Sequence, residues 1–472
     1  MFAEIVQRVN DIIWSPALVV LLICAGLFLS FGTRFVQVRH LPDMVRSLFS
    51  QKAGNAKGIT SFEAFCMALS GRIGTGNIVG VATAIAFGGP GAVFWMWLIA
   101  FFGAATAFAE STLAQMYKFP HDTVCRGGPF SYIEKGLKAK WLGVVFAIVC
   151  VFGYGLFNTT VQANGMASAL NNTFGISPIV GGLLLAFLLG LVVFGGVKSI
   201  SKVAKVVTPF MALAYIILSL VIICANIGAV PHILKLIVTN AFGINSIAGG
   251  ILGSTIMMGV KRGIYSNEAG QGGGAIVSAS ADVTHPVRQG FAQSFSVYVD
   301  TLLVCTATAL MILICGTYNI YDQQTGEMLV AGVPELGHNY VGYTQAAVDS
   351  ILPGLGGGFI SIALIFFVFT TVMAYYFYSE SAIIYLMRGR KGEKLAIFLT
   401  RSGILAAAVF GAIKEADVVW QLGDIGVGLC AWVNVVALLL LSPQVFRSLR
   451  EYEATEDKKP RKKRGRQSKK AD

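Results

Sequence analysis

Long apolar runs, separated by short stretches of charged and turn-forming residues, dominate the chain. A helix crossing a bilayer takes about 20 consecutive apolar residues. Runs of that kind fall at 13–31, 61–87, 92–116, 141–170, 178–194 and 206–227, and again at 248–265, 291–315, 354–387, 396–413 and 420–442. The pattern predicts an all-α polytopic membrane protein with about eleven transmembrane helices.

The connections alternate in charge. The first holds Arg34, Arg39, Arg46, Lys52 and Lys57, and later basic ones cover 118–140, 198–205, 261–288 and 388–394. Those between them are nearly bare of basic residues, and 317–353 has acidic residues but no Lys or Arg. Basic connections stay in the cytoplasm. The N-terminus is therefore expected outside and the C-terminus inside, which requires an odd number of spans. With the first span set aside, the rest divide into five plus five, the second five inserted upside down. The expected units are an extra helix with a basic cytoplasmic loop (1–60), a first five-helix repeat (61–227), an inverted second repeat (248–442) and a basic, disordered cytoplasmic tail (443–472).

In inverted repeats of this kind, a Gly-interrupted span at the same place in each half points to the binding site. The opening span of the first half carries Ser70-Gly71-Arg72-Ile73-Gly74-Thr75-Gly76-Asn77. That of the second carries Gly259-Val260-Lys261-Arg262-Gly263, followed by Gly270-Gln271-Gly272-Gly273-Gly274. Glycine in a helix interior costs about 1 kcal/mol relative to alanine. An unwound turn would offer amides to a carboxylate and carbonyls to a cation. Close helix packing through small residues explains the same glycines equally well.

Composition reinforces the membrane assignment and removes rivals. Hydrophobic residues make up 55% of the 472 and charged residues 13%, against about 25% charged in soluble domains. The eight cysteines are scattered without a C-x-x-C pair, so metal or redox chemistry is not expected. The net charge of +12 is concentrated toward 447–470; a basic run after a final span reads as a cytoplasmic flank or an anionic-lipid contact, not a nucleic-acid site. The first ten residues are polar and the first apolar run is full length, so no cleaved leader is expected. No P-loop, catalytic triad or metal cluster is visible.

Polar groups inside the spans are the remaining candidates. Gln162 and Asn164 lie in the fourth span, where amides need polar partners; interhelical hydrogen bonding is the alternative to a binding role. Thr370-Thr371 interrupt an apolar stretch of the ninth span. Paired hydroxyls suit a small alkali cation, although such hydroxyls often bond their own preceding carbonyls. Glu110, Asp300 and Glu380 sit toward the expected span ends, where snorkelling or a local Arg or Lys would serve them. The stretches 267–270 and 282–289 form a polar junction, either a cytoplasmic gate or a structured loop.

Gly88-Gly89-Pro90-Gly91-Ala92-Val93-Phe94-Trp95-Met96-Trp97-Leu98 is similar to the signature of the alanine/glycine:cation symporters, also called sodium:alanine symporters. It follows Gly74-Thr75-Gly76-Asn77-Ile78-Val79-Gly80-Val81-Ala82 at the family's spacing. Val161-Gln162-Ala163-Asn164, Ser266-Asn267-Glu268-Ala269-Gly270 and His285-Pro286-Val287-Arg288-Gln289-Gly290 extend the resemblance over roughly 14–442.

The resemblance implies a leucine-transporter-type fold within the amino acid/polyamine/organocation superfamily and sodium-driven uptake of alanine, glycine or a comparable small neutral amino acid. It implies a bacterial inner-membrane location and no cofactor beyond Na+ as coupling ion. It places the substrate carboxylate against amides near Thr75, Gly76 and Asn77, with Gln162 bonding it from the fourth span. Na+ would take the carbonyls of Ser70, Ile73 and Phe367 and the hydroxyls of Thr370 and Thr371. Trp95 and Trp97 belong to the signature as scaffold. Tyr375 stands where family members often carry Trp on the substrate-facing wall, which bears on substrate size. The 271–274 stretch is looser than the family pattern and receives no ligand role. Arg72, a cation beside the cation site, is expected to point toward the cytoplasm or pair with an acid such as Glu268. A proton-coupled symporter and a non-transporting amino-acid receptor are the rival readings; enzymatic activity is not expected.

Overall fold

The computed structural model describes residues 2–49, 58–122, 124–243, 251–323 and 325–457. The expected tail lies outside the described residues from 458 onward, as do Lys52, Lys57 and the expected start of the seventh span. In chain order, the amphipathic α1 (Phe2–Ile13) leads into α2 (Pro16–Gly32), which is followed by a single turn (Val36–Arg39) and α3 (Leu41–Leu48). Then come α4 (Ser61–Arg72), α5 (Gly76–Gly88), α6 (Ala92–Met116), α7 (Lys140–Phe174), α8 (Pro178–Val193) and α9 (Gly196–Ala225). A short helix, α10 (Val230–Ala241), precedes α11 (Ile251–Asn267), α12 (Gly273–Ser278) and α13 (Pro286–Cys315). The chain closes with α14 (Tyr340–Ile351), α15 (Gly356–Met387), α16 (Glu393–Ile413) and α17 (Ala416–Asp457).

Among the described residues, eight stretches are long and apolar enough to cross a membrane: Ala3–Gly32, α6, α7, α9, α13, α15, α16 and Ala416–Thr455. The 16-residue α8 and the interrupted pairs α4/α5 and α11/α12 account for the other expected spans. Large apolar side chains on the outside, such as Phe187, Leu191, Phe210 and Leu399, face outward where lipid replaces water as solvent. Two antiparallel hairpins (Phe119–His121 with Val124–Arg126, and Asn319–Tyr321 with Met328–Ala331) lie in the connections, at opposite ends of the helices.

The two halves form the five-plus-five inverted repeat of the leucine-transporter fold, with α1–α2 as the extra N-terminal element. Both interrupted pairs pack on α6, and α6 also packs along α13. On the other side, α7, α8, α15 and α16 pack on one another. The break between α4 and α5 lies where these two groups meet.

The break in the second half differs from expectation. Helix α11 runs uninterrupted through Gly259 and Gly263, and those glycines serve packing. A β-carbon at Gly259 would come within 2.5 Å of Ala92 O and Trp95 Cβ, and one at Gly263 within 2.5 Å of Ile99 Cγ2. The interruption falls at 268–272, where Glu268, Gly270 and Gly272 have φ of 54°, 83° and 93°. This stretch is buried, so the supposed junction at 267–270 is a mid-bundle break and not a cytoplasmic loop. Lys261 and Arg262 do not belong to a basic connection either. Both sit inside α11 and pair with Asp424 at 2.7 and 2.6 Å.

Close glycine contacts also join α7 to α17, where Gly153 and Gly426 face each other; a β-carbon at Gly426 would lie 2.6 Å from Gly153 Cα. Gly426→Val is therefore expected to lower the melting temperature of the purified protein strongly. Gly190→Ala, at a position with nothing within 4 Å, should leave it unchanged or raise it slightly. Thermal unfolding of the two variants side by side checks this.

Candidate functional site

Helix α4 begins with a capping box between Thr60 and Glu63 and ends at Ile73, whose ψ of 93° takes the chain out of helical space. The Gly74 amide then donates to Asn77 Oδ1 (2.8 Å) instead of continuing the helix, and the Asn77 amide donates to Gly74 O (3.2 Å). Ser70 O and Ile73 O thereby lose their helical donors. Both turn toward α15. The Thr371 hydroxyl lies 2.9 Å from Ser70 O, 3.0 Å from Ile73 O and 2.7 Å from Phe367 O. One hydroxyl proton thus faces three carbonyl oxygens, two of them without their helical donors.

This arrangement brings together Ser70, Ile73, Phe367 and Thr371. Thr370 stands one step away: its hydroxyl bonds Phe366 O and Phe367 O in its own helix and touches Met211 Sδ. Thr370 therefore fits the back-bonding pattern common in membrane helices and meets the cluster only through Phe367 O.

Gly74 is glycine because of this crowding. A β-carbon there would sit 2.6 Å from Gln162 Oε1 and 2.7 Å from Thr371 Oγ1. Gln162 reaches across from α7 and accepts the Thr75 amide at 2.8 Å, while the Thr75 hydroxyl donates to Gln162 O at 3.3 Å. The Gly76 amide, at the head of a π-helical turn (Gly76–Gly80), has no such acceptor among the described residues. Tyr265 lies directly over it, 3.1 Å from where a Gly76 β-carbon would stand. The Asn77 side chain spans Gly74 N and Asp300 Oδ1 (2.6 Å) and braces the turn. Tyr375 lines the same region, with its ring 5.3 Å from Tyr154 and 5.9 Å from Tyr378.

Two further π-helical turns lie beside the two breaks, Val151–Asn158 in α7 and Tyr298–Cys305 in α13. Such widened turns gather at functional sites. The first carries Tyr154 to the second break, where its hydroxyl donates to Gln271 Oε1 (3.2 Å), and the other carries Asp300 to Asn77 of the first break. Asp300 is fully buried and accepts from Asn77, Ser266 (3.0 Å) and Thr301 (2.7 Å). It is not at a span end, and among the described residues no Arg or Lys pairs with it. Glu110 is likewise fully buried; it accepts from Asn434 (3.0 Å), which in turn takes the Tyr132 hydroxyl and donates to Gly270 O. Only Glu380 has the local partners expected, Arg126 at 2.6 Å and Arg401 at 3.3 Å.

Arg72 neither reaches the surface nor forms an ion pair among the described residues. Its Nε donates to Asn267 O at 2.6 Å, and its Nη1 reaches Gln293 Oε1 (3.1 Å) and the Ser296 hydroxyl. The guanidinium thus points away from the carbonyl cluster into the second break. Glu268, its expected partner, accepts from Tyr378 at 3.1 Å instead. Asn164 holds α16 through Gly411 O and Lys414 O, the structural role weighed for it. Tyr265 packs against Trp420 at 5.1 Å, with Arg262 stacked over Trp420 at 4.7 Å. A cavity of about 560 Å³ lined by Trp420, Arg262, Asp424 and Tyr340 opens above them.

The family profile described as "Sodium:alanine symporter family" matches residues 1–467. The chain belongs to the sodium:alanine symporter family. This is a family of transporters, and with its apolar helices the chain is a multi-pass membrane protein. A relative from Bacillus subtilis (strain 168) is 51% identical over 96% of this chain and 92% of its own length. The "Sodium/proton-dependent alanine carrier protein" of Bacillus sp. (strain PS3) is 46% identical, covering 87% of this chain and 91% of that one. Another B. subtilis relative, "Probable sodium/glutamine symporter GlnT", is 42% identical over 95% of this chain and 90% of that one. Among solved structures, that of MhsT in complex with L-phenylalanine aligns with a TM-score of 0.51 at 14% identity, covering 84% of this chain and all of that one.

Gly74→Ala should drive Gln162 or Thr371 out of place and abolish substrate binding. Asp300→Asn, which keeps the shape but not the charge, should leave the fold intact and weaken binding at least about tenfold, near 1.4 kcal/mol. Equilibrium binding on folded, monodisperse protein measures both.

Proposed function

We propose that this symporter couples the inward movement of a small neutral amino acid, alanine or glycine, to that of sodium. The observation that carries the reading is the Thr371 hydroxyl held between three main-chain carbonyls at 2.7–3.0 Å. A single hydroxyl proton cannot serve three acceptors, so the cluster carries surplus negative potential. Hard, neutral oxygen donors of this kind suit an alkali cation. Thr370 contributes through the shared Phe367 carbonyl.

The substrate carboxylate is assigned to the free Gly76 amide and to the Thr75 amide, which Gln162 releases as it turns toward the substrate. Asn77 holds the turn in shape, and Tyr375 limits the size of the side chain. Sodium ties α4 to α15 and so orders the amide-bearing turn; substrate binding in that ordered state is correspondingly tighter. Alternating access follows as the group around the interrupted helices moves against α7, α8, α15 and α16. The protein needs no cofactor, sits in the inner membrane with its N-terminus outside, and carries α17 into the cytoplasm.

Proton coupling is a second reading, favoured by the fully buried Asp300 beside the break. Proteoliposomes discriminate the two. Alanine uptake is expected to rise with an inward sodium gradient and to persist when a protonophore collapses the proton gradient; uptake indifferent to sodium would favour the proton reading. Competition by alanine, glycine, serine and glutamine should rank the two smallest first.

Thr371→Ala should raise the sodium concentration needed for half-maximal uptake by about tenfold or more, the equivalent of about 1.4 kcal/mol. Thr371→Ser should stay near wild type. Neither should reorder the amino-acid preference. Unaltered sodium dependence in Thr371→Ala would make the hydroxyl structural.

A further inference from the structure

Where α2 ends, the chain makes a compact turn before α3. Thr33, Arg34 and Phe35 donate their amides back to Leu29, Phe31 and Ser30, and both Arg34 and Phe35 take φ of 55°. Consecutive non-glycine residues in this left-handed region are sterically costly and need external support. Arg39 provides it, donating to Arg34 O (3.3 Å) and Thr33 O (3.2 Å). The turn and the far part of α17 enclose a cavity of about 210 Å³, lined by Arg34, Arg39, Phe446, Leu449, Arg450 and Glu453 among others.

Its charge is unbalanced. The one lining carboxylate, Glu453, is taken by Arg39 (2.6 Å) and His40 (3.0 Å). Asp43 next to it bonds His40 and Arg46. Among the described residues neither Arg34 nor Arg450 has a carboxylate partner; Arg450 Nε donates to Phe446 O (3.3 Å), so two lining guanidiniums carry charge that no carboxylate offsets. The rim is apolar: Phe28 packs on Phe446 at 6.0 Å, and Phe28 and Phe31 are 48% and 66% exposed on the outside of α2. Beyond the turn, Val38, Leu41, Val45 and Phe49 form an exposed apolar face beside Arg34 and Arg46. A basic segment with an exposed apolar face at the end of a membrane-spanning helix lies in the headgroup layer.

We propose that this pocket holds the phosphodiester headgroup of an anionic membrane lipid. Arg34 and Arg450 take the phosphate, and the acyl chains run along Phe28 and Phe31. The lipid would pin α2, the extra N-terminal element, to α17. Guanidinium pairs bind phosphate oxygens with directional, charge-assisted hydrogen bonds. A soluble phosphate has the same headgroup chemistry but gains nothing from the phenyl rim.

The test uses the full-length protein purified in a zwitterionic detergent. Melting temperature is followed while phosphatidylglycerol, phosphatidylcholine, glycerol 3-phosphate or inorganic phosphate is added. Phosphatidylglycerol should raise it by several degrees in a saturable manner, and phosphatidylcholine and the soluble phosphates should not. The double variant Arg34→Gln/Arg450→Gln should lose the shift, whereas Arg447→Gln, at a residue paired with Glu451 outside the pocket, should keep it. Equal protection by phosphatidylcholine, equal protection by soluble phosphate, or a shift intact in the double variant would each overturn the assignment. If the double variant does not fold, native mass spectrometry of the wild-type protein decides instead. Retention of phosphatidylglycerol that excess phosphatidylcholine cannot displace supports the site, and free displacement removes it.

Discussion

A helix broken in lipid must have its freed backbone groups met by protein, and everything around the α4–α5 break answers to that constraint. Asn77 turns the Gly74 amide inward, Gln162 takes the Thr75 amide, and Thr371 receives the orphaned carbonyls of Ser70 and Ile73. The accounting does not balance. There are more acceptors than protons on one side of the break and, among the described residues, an amide at Gly76 without an acceptor on the other. A site with surplus carbonyls next to a spare amide is complementary to a cation and a carboxylate at once. The same few atoms also join the group around the interrupted helices to α7 and α15, so occupancy of the site and the relation between the two groups cannot vary independently.

Much of this was legible in the sequence because membrane physics leaves few choices. Apolar runs of spanning length mapped onto real helices, and α6 matches its expected bounds at 92–116. The residues around Gly74 and the Thr370-Thr371 pair could be singled out because glycine and adjacent hydroxyls are conspicuous in an apolar helix. The glycines of α11 misled, since Gly259 and Gly263 mark tight packing against α6 while the actual break is set by the left-handed residues 268–272. A glycine alone does not say which of these it serves. The short helices α10 and α14 were missed because they fall between spans and lack spanning length.

The charged residues were hardest to place. Arg72, Glu110, Asp300, Lys261 and Arg262 all fall within the bundle, where a linear reading assigns Glu110 and Asp300 to span ends, Lys261 and Arg262 to a connection, and the Arg72 side chain to the cytoplasmic surface or an acid partner. Their partners come from distant parts of the chain: Asn267 for Arg72, Asn434 for Glu110, Asn77 for Asp300 and Asp424 for the Lys261–Arg262 pair. No local spacing encodes such pairings. The π-helical turns that deliver Tyr154 to the second break and Asp300 to the first are equally silent in sequence, because an extra residue in a helical turn leaves the apolar pattern almost unchanged.

If cation and amino acid meet at one break, their affinities must be linked, and by the same factor in both directions. Equilibrium binding on the purified protein measures it: alanine affinity at zero and saturating sodium, and sodium affinity at zero and saturating alanine. Each ligand is expected to tighten the other by an equal factor well above one. Alanine affinity that does not change with sodium would contradict that linkage.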